Sequence, residues 1–198
     1  MEFIIEQLLT WWQFTVVGIL ILIGFIINLL GVDQDEPLIG FKYKEMPTMR
    51  PIVIPTAGKG FWGAIWMWIT GTRTWEITKD WNFEINGEKY VITKGFVFDG
   101  ASVPKFLASW LSPTGVLLVG GLVHDYAYKY TVFMKKGRKK IVSPPMSQKE
   151  ADQIFRDINI EQNGFHLLNN LAYWALRLAG FVAWNGHRKN DQKPKLTK

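Results

Sequence analysis

From Gln7 to Val32 the chain carries no charged residue, and an uncharged run of that length leaves few folding options. Crossing the roughly 30 Å hydrocarbon core takes about 20 apolar residues, because a helix rises about 1.5 Å per residue. Phe14 to Leu30, nearly all Val, Ile, Leu, Phe and Gly, meets the requirement. The run therefore predicts a transmembrane anchor in residues 1–36. Trp11 and Trp12 would sit at one head-group boundary, while Asp33, Asp35 and Glu36 close the other end and Pro37 stops the helix. A cleaved signal peptide fits less well. Glu2 and Glu6 stand where positive charge is expected, and no small-x-small site follows. Lys42, Lys44 and Arg50 follow the run, whereas its N-terminal flank has no Lys or Arg. The positive-inside bias then predicts a single-pass membrane protein with its domain facing the cytoplasm.

The rest of the 198 residues suffices for one domain with a real core. There is no cysteine, which excludes disulfides, Cys-ligated metal centres and thiol nucleophiles. A net charge of +6 points to an anionic neighbour, with lipid head groups ahead of nucleic acid, since no groove-reading motif accompanies the charge. Residues 37–60 hold Pro37, Pro47, Pro51 and Pro55 and read as an extended linker. Phe61, Trp62, Trp66, Met67 and Trp68 follow, either as core or as an interfacial patch.

From Trp75 to Phe98 the pattern alternates, with Asn86-Gly87 as a hairpin turn. Helices are expected from Val116 to Tyr128 behind an N-cap at Ser112, then behind the capping box Ser147 to Glu150, then from His166 to Trp184. Lys135 to Lys140 reads as a basic hairpin tip and residues 185–198 as a basic disordered tail. The fold class predicted is α+β: a transmembrane helix plus a small, mainly helical domain over residues 61–184 with an antiparallel hairpin.

Chemistry has few carriers. His124 opens His-Asp-Tyr-Ala-Tyr128, and on a helix His124 and Tyr128 share one face, while Gly120 and Gly121 let a neighbour approach that face closely. Asp152, near the start of the capped helix, can orient an imidazole, and Asp99 ends a strand just before a tight turn. These groups are expected to converge. A serine hydrolase built on Ser102 and His124 lacks a nucleophile-elbow sequence. A metal phosphohydrolase needs a histidine upstream of His124, but His166 and His187 both lie downstream.

The ordered set Gly95-Phe-x-x-Asp99-x-Ala-Ser-x-Pro104, His124-Asp-x-x-Tyr128, Ala151-Asp-x-x-Phe155 and Tyr173-x-Ala-x-Arg177-x-x-Gly180 resembles an uncharacterised domain-of-unknown-function family of tailed phages and prophages, over about Trp75 to Trp184. That resemblance implies a phage-type protein of the host inner membrane or the virion, with other phage proteins as partners and no settled activity. His-Asp-x-x-Tyr followed by Ala-Asp-x-x-Phe is also similar to the calcium-dependent phospholipases that cleave the sn-2 ester. This second resemblance implies His124 as general base on water, Asp152 holding its ring, Tyr128 supporting Asp152, and Asp125 with Asp99 as ligands of Ca2+. Those enzymes supply further ligands from a glycine-rich loop, for which only Asp99-Gly100 or Thr114-Gly115 could stand in. Two functions follow as expectations: a membrane-anchored, metal-dependent lipid ester hydrolase acting on a bilayer of anionic phospholipid, or a non-enzymatic docking component whose buried network merely fixes the core.

Overall fold

The computed structural model describes residues 39–54, 56–70, 74–99, 115, 117–136, 142–189 and 194, together with Trp12, Gly18, Ile19 and Leu22. Met1–Glu36 and Pro37–Lys198 are separate units. In the second unit the proline-rich stretch is more than a linker, since it supplies β1 (Lys42–Tyr43) and β2 (Met49–Ile52). Helix α1 (Gly60–Thr70) follows, then β3 (Thr74–Ile77), β4 (Trp81–Ile85), β5 (Glu88–Ile92) and β6 (Val97–Phe98). After these come α2 (Leu118–Tyr130), β7 (Met134–Lys135), α3 (Gln148–Asn163) and α4 (His166–Lys189).

Asn86 and Gly87 both adopt positive φ, 50° and 81°, and form the expected two-residue turn with Ile85 opposite Glu88. This hairpin is the centre of a four-stranded antiparallel sheet in the order β1-β4-β5-β7, while β2-β3-β6 make a second, three-stranded one. Trp81, Phe83 and Ile85 alternate inward and are buried. They join one apolar core with Leu122, Val123, Tyr126 and Ala127 of α2 and Ala151 and Ile158 of α3. The unit is α+β.

One carboxylate ties the start of this unit down. Glu161 of α3 accepts backbone N–H bonds from Ile39 at 2.7 Å, Gly40 at 2.9 Å and Phe41 at 2.7 Å, and Phe41 beside them is buried. Charge-assisted bonds are worth about 1.5–3 kcal/mol each, and groups left unpaired here regain water only in part. Glu161→Ala should therefore lower stability by about 2–4 kcal/mol in urea titrations, and amide exchange should accelerate first at Ile39 to Phe41. Unchanged exchange there would show that the clamp contributes nothing.

The predicted membrane topology is corrected. Among the described residues no helix is long and apolar enough to cross a membrane. Helix α1 has 11 residues, about 16 Å against a core of roughly 30 Å. The 24-residue α4 is long enough but carries Arg177, Arg188 and Lys189, which hydrocarbon does not tolerate without partners. The transmembrane anchor and the single-pass, cytoplasm-facing localisation do not stand, and the uncharged run that suggested them falls almost entirely outside the described residues. The Ser112 cap, Ser102 and residues 137–140 of the basic tip lie outside them too. Helix α4 runs to Lys189, five residues beyond its expected end at Trp184.

Candidate functional site

Three helices build the site, each through one stripe. On α2, Gly120, His124 and Tyr128 recur every four residues and face inward. On α3, Asp152, Phe155 and Asn159, three and then four residues apart, are buried on one stripe that starts about one turn after the N-cap, where Ser147 and Glu150 form a complete capping box. The cap sets where α3 begins, and so where Asp152 points. Two glycines let the stripes close together: a Cβ at Gly120 would collide with the side chain of Asn159, and one at Gly180 of α4 with the Tyr128 hydroxyl. The close approach expected at Gly120 is thus filled by Asn159.

Asp152 is the hub. Its side chain is fully buried, and burying an ionised carboxylate costs several kcal/mol unless donors surround it. They do. His124 Nε2 lies 3.0 Å from Oδ1, the Tyr128 hydroxyl donates to the same oxygen at 2.6 Å, and Arg177 Nη1 donates to Oδ2 at 2.8 Å. Gln148 Nε2 donates to the Tyr128 oxygen at 3.2 Å, leaving that hydroxyl's proton for Asp152. Burial alone would raise the Asp152 carboxyl, but the bonds from His124, Tyr128 and Arg177 outweigh it and hold the group below its ordinary value.

The tautomer of His124 follows. Asp152 is ionised and accepts only, so Nε2 must carry the hydrogen, which leaves the Nδ1 lone pair to act as a base when the ring is neutral. The ring is clamped between Tyr128, centroids 4.0 Å apart, and Phe155 at 5.3 Å. Nδ1 faces Asp125, with Oδ1 3.7 Å away, longer than a hydrogen bond. Burial would lower His124, yet the charge of Asp125 beside it and the bond to Asp152 win and raise it.

Asp125 is the anomaly. Burial, together with the charge and oxygen of Asp99 facing it, pushes its carboxyl up to about 7, against the pull of His124. Its Oδ2 is buried with no hydrogen-bond partner. Two facing carboxylates are both acceptors and need a proton or a cation between them. Their hard oxygens suit a cation such as calcium, although among the described residues no group of three or more His, Asp or Glu is arranged to hold a metal. His124, Asp152 and Tyr128 thus meet directly, and Asp99 meets Asp125 on the other side of the ring.

In the sequence Arg177 stands only as a position of the ordered motif, with no role attached, and its part as counter-ion to Asp152 was missed. The available signal was the spacing Tyr173, Arg177, Gly180, which puts a lone cation and a close-packing glycine on one helical stripe. Arg188 was missed as well; it donates to the carbonyls of Tyr128 and Lys129 and closes the end of α2.

A family model described as Protein of unknown function (DUF1353) matches residues 75–176. The chain belongs to this family. The matched segment begins in β3 and contains Asp99, His124, Asp125, Tyr128, Gln148 and Asp152, and it stops one residue before Arg177. The two strands of residues 42–52 and helix α1 precede it. No curated protein and no solved structure matches the chain.

Proposed function

We propose that the chain is an ester hydrolase in which His124 is the general base, Asp152 with Arg177 and Tyr128 positions its ring, and phospholipid is the substrate class. The observation that carries the reading is that Nε2 of His124 is committed to Asp152 while Nδ1 is left as its proton acceptor beside a carboxylate pair. Asp152 could not both take a proton from His124 and keep its bonds to Tyr128 and Arg177, so it orients the imidazole and stabilises its charged form. His124 takes a proton from water at Nδ1 as the oxygen attacks the ester carbonyl, and the imidazolium then gives that proton to the departing alkoxide. Asp99 and Asp125 would hold a calcium ion, which when bound would polarise the carbonyl and stabilise the oxyanion. The phospholipid assignment draws on the resemblance to the calcium-dependent phospholipases.

The test is release of fatty acid by the full chain from phospholipid vesicles, with calcium and with chelator. Hydrolysis that appears with calcium supports the reading; none with calcium, magnesium or zinc ends it. A second readout is independent of turnover. Asp125 has its folded pKa raised from 3.8 to about 7, so its contribution to stability is full below about 3.8 and lost as pH rises through about 7. With chelator at pH 8, Asp125→Asn should accordingly be more stable than the parent by about 1–3 kcal/mol. Calcium at about 100 times its Kd should in turn add about 2.7 kcal/mol to the parent and almost nothing to the variant. The stability readout thus reports whether a cation sits between Asp99 and Asp125, while fatty acid release reports catalysis.

A further inference from the structure

Among the described side chains, those of helix α1 belong to neither the core nor the His124 site, and its composition is unusual for an exposed helix. Gly60 to Thr72 contains no charged residue, yet Phe61 is 72% exposed, Trp62 78% and Trp66 67%. The topology holds it out. Ile52 of β2 pairs with Thr74 of β3, so residues 53–73 leave the three-stranded sheet and return to it as one excursion. Val53, at the start of that excursion, is 85% exposed. A surface helix normally turns its apolar stripe inward and its charges outward. Here the outward face is aromatic and the charges stand only at the two ends of the uncharged stretch, as Lys59 and Arg73.

We propose that α1 docks on the surface of an anionic lipid bilayer, lying in the head-group interface without crossing it. At about 16 Å it is too short to span roughly 30 Å of hydrocarbon, but it is long enough to bury one apolar face some 5–10 Å deep. Indole rings favour that boundary, where an apolar body and a polar N–H are both accommodated. A protein partner would be expected to meet a polar rim of mixed charge around such a patch. Lys59, exposed at the start of the helix, is cationic, and the chain carries a net charge of +6, which complements anionic head groups. The helix precedes the family-matched segment, and the inference does not depend on whether His124 turns over an ester.

Because the chain has no cysteine, a single fluorophore can be placed at will. Phe61→Cys and, as a control on exposed α3 surface, Lys149→Cys would be labelled with an environment-sensitive dye in the full chain carrying His124→Gln, so that lipid turnover does not alter the vesicles. Vesicles of phosphatidylcholine containing about one-third phosphatidylglycerol, with brominated acyl chains, should quench the label at 61 and not at 149. Trp62→Asp with Trp66→Asp should weaken vesicle binding, followed through that label, by about tenfold or more. A label at 61 that stays in water while the chain is vesicle-bound overturns the proposal. So does a label already shielded before lipid is added, which would mean that protein covers the helix, and so does equal quenching by vesicles of phosphatidylcholine alone.

Discussion

His124→Gln should cut calcium-dependent fatty acid release by about 10²–10⁴-fold, the contribution of a positioned general base, while the variant remains folded. Glutamine is chosen because its amide can still donate to Asp152, so the hub keeps three donors while Nδ1 is lost. The expected loss lies in kcat with little change in KM, since the base acts in the transition state and does not bind lipid. The parent should show activity that rises with pH. His124 must be neutral to accept a proton, and the charge of Asp125 with the bond to Asp152 raises it above its ordinary value of 6.5. The ascending limb should therefore lie near or above neutrality, shaped by coupling to Asp125, which itself titrates at about 7. A folded His124→Gln that retains full activity would remove His124 from the mechanism.

Arg177→Leu should cost about 3–5 kcal/mol of stability, because it leaves a fully buried carboxylate without its counter-ion. Arg177 itself is 29% exposed, and the penalty falls on Asp152 far more than on the arginine. The pH dependence separates this from simple loss of packing. The Asp152 pKa is held below 3.8 in the fold, so its contribution is present above about 3.8 and disappears as pH falls through the folded value. The gap between parent and Arg177→Leu should be widest near pH 7 and narrow as Asp152 becomes protonated in acid. Adding Asp152→Asn to Arg177→Leu should recover part of the loss, a coupling that urea titrations of the four proteins would measure. A single substitution costing under about 1 kcal/mol at pH 7 would show the pair to be a surface-like contact.

Local patterns were legible because their causes are local. Asn86-Gly87 tolerates positive φ at both turn positions, and so declares the hairpin without reference to anything else. Ser147 and Glu150 cap each other within four residues, so the start of α3 and the direction of Asp152 could be read directly. His124 and Tyr128 share a stripe because 3.6 residues make a turn. Length and apolarity are also local, yet they misled at the N-terminus, where no helix among the described residues meets the requirement for a membrane span. Phe61, Trp62 and Trp66 show the same limit. Their composition suited a core, and only the pairing of β2 with β3 put them outside it.

By itself, then, the sequence determined which residues could take part: a histidine and an aspartate at fixed places on two helices, no cysteine to compete with them, and an uncharged aromatic segment. Which groups meet was decided by tertiary structure, because meeting depends on how α2, α3 and α4 pack and not on spacing along any one of them. Gly120 and Gly180 allow that packing to be close. Arg177 then reaches Asp152 across 25 positions of sequence, and Asp99 confronts Asp125 from the end of a strand. A pKa near 7 on a carboxylate is the clearest case. It comes from desolvation and a like charge, and both exist only once the chain has folded around them.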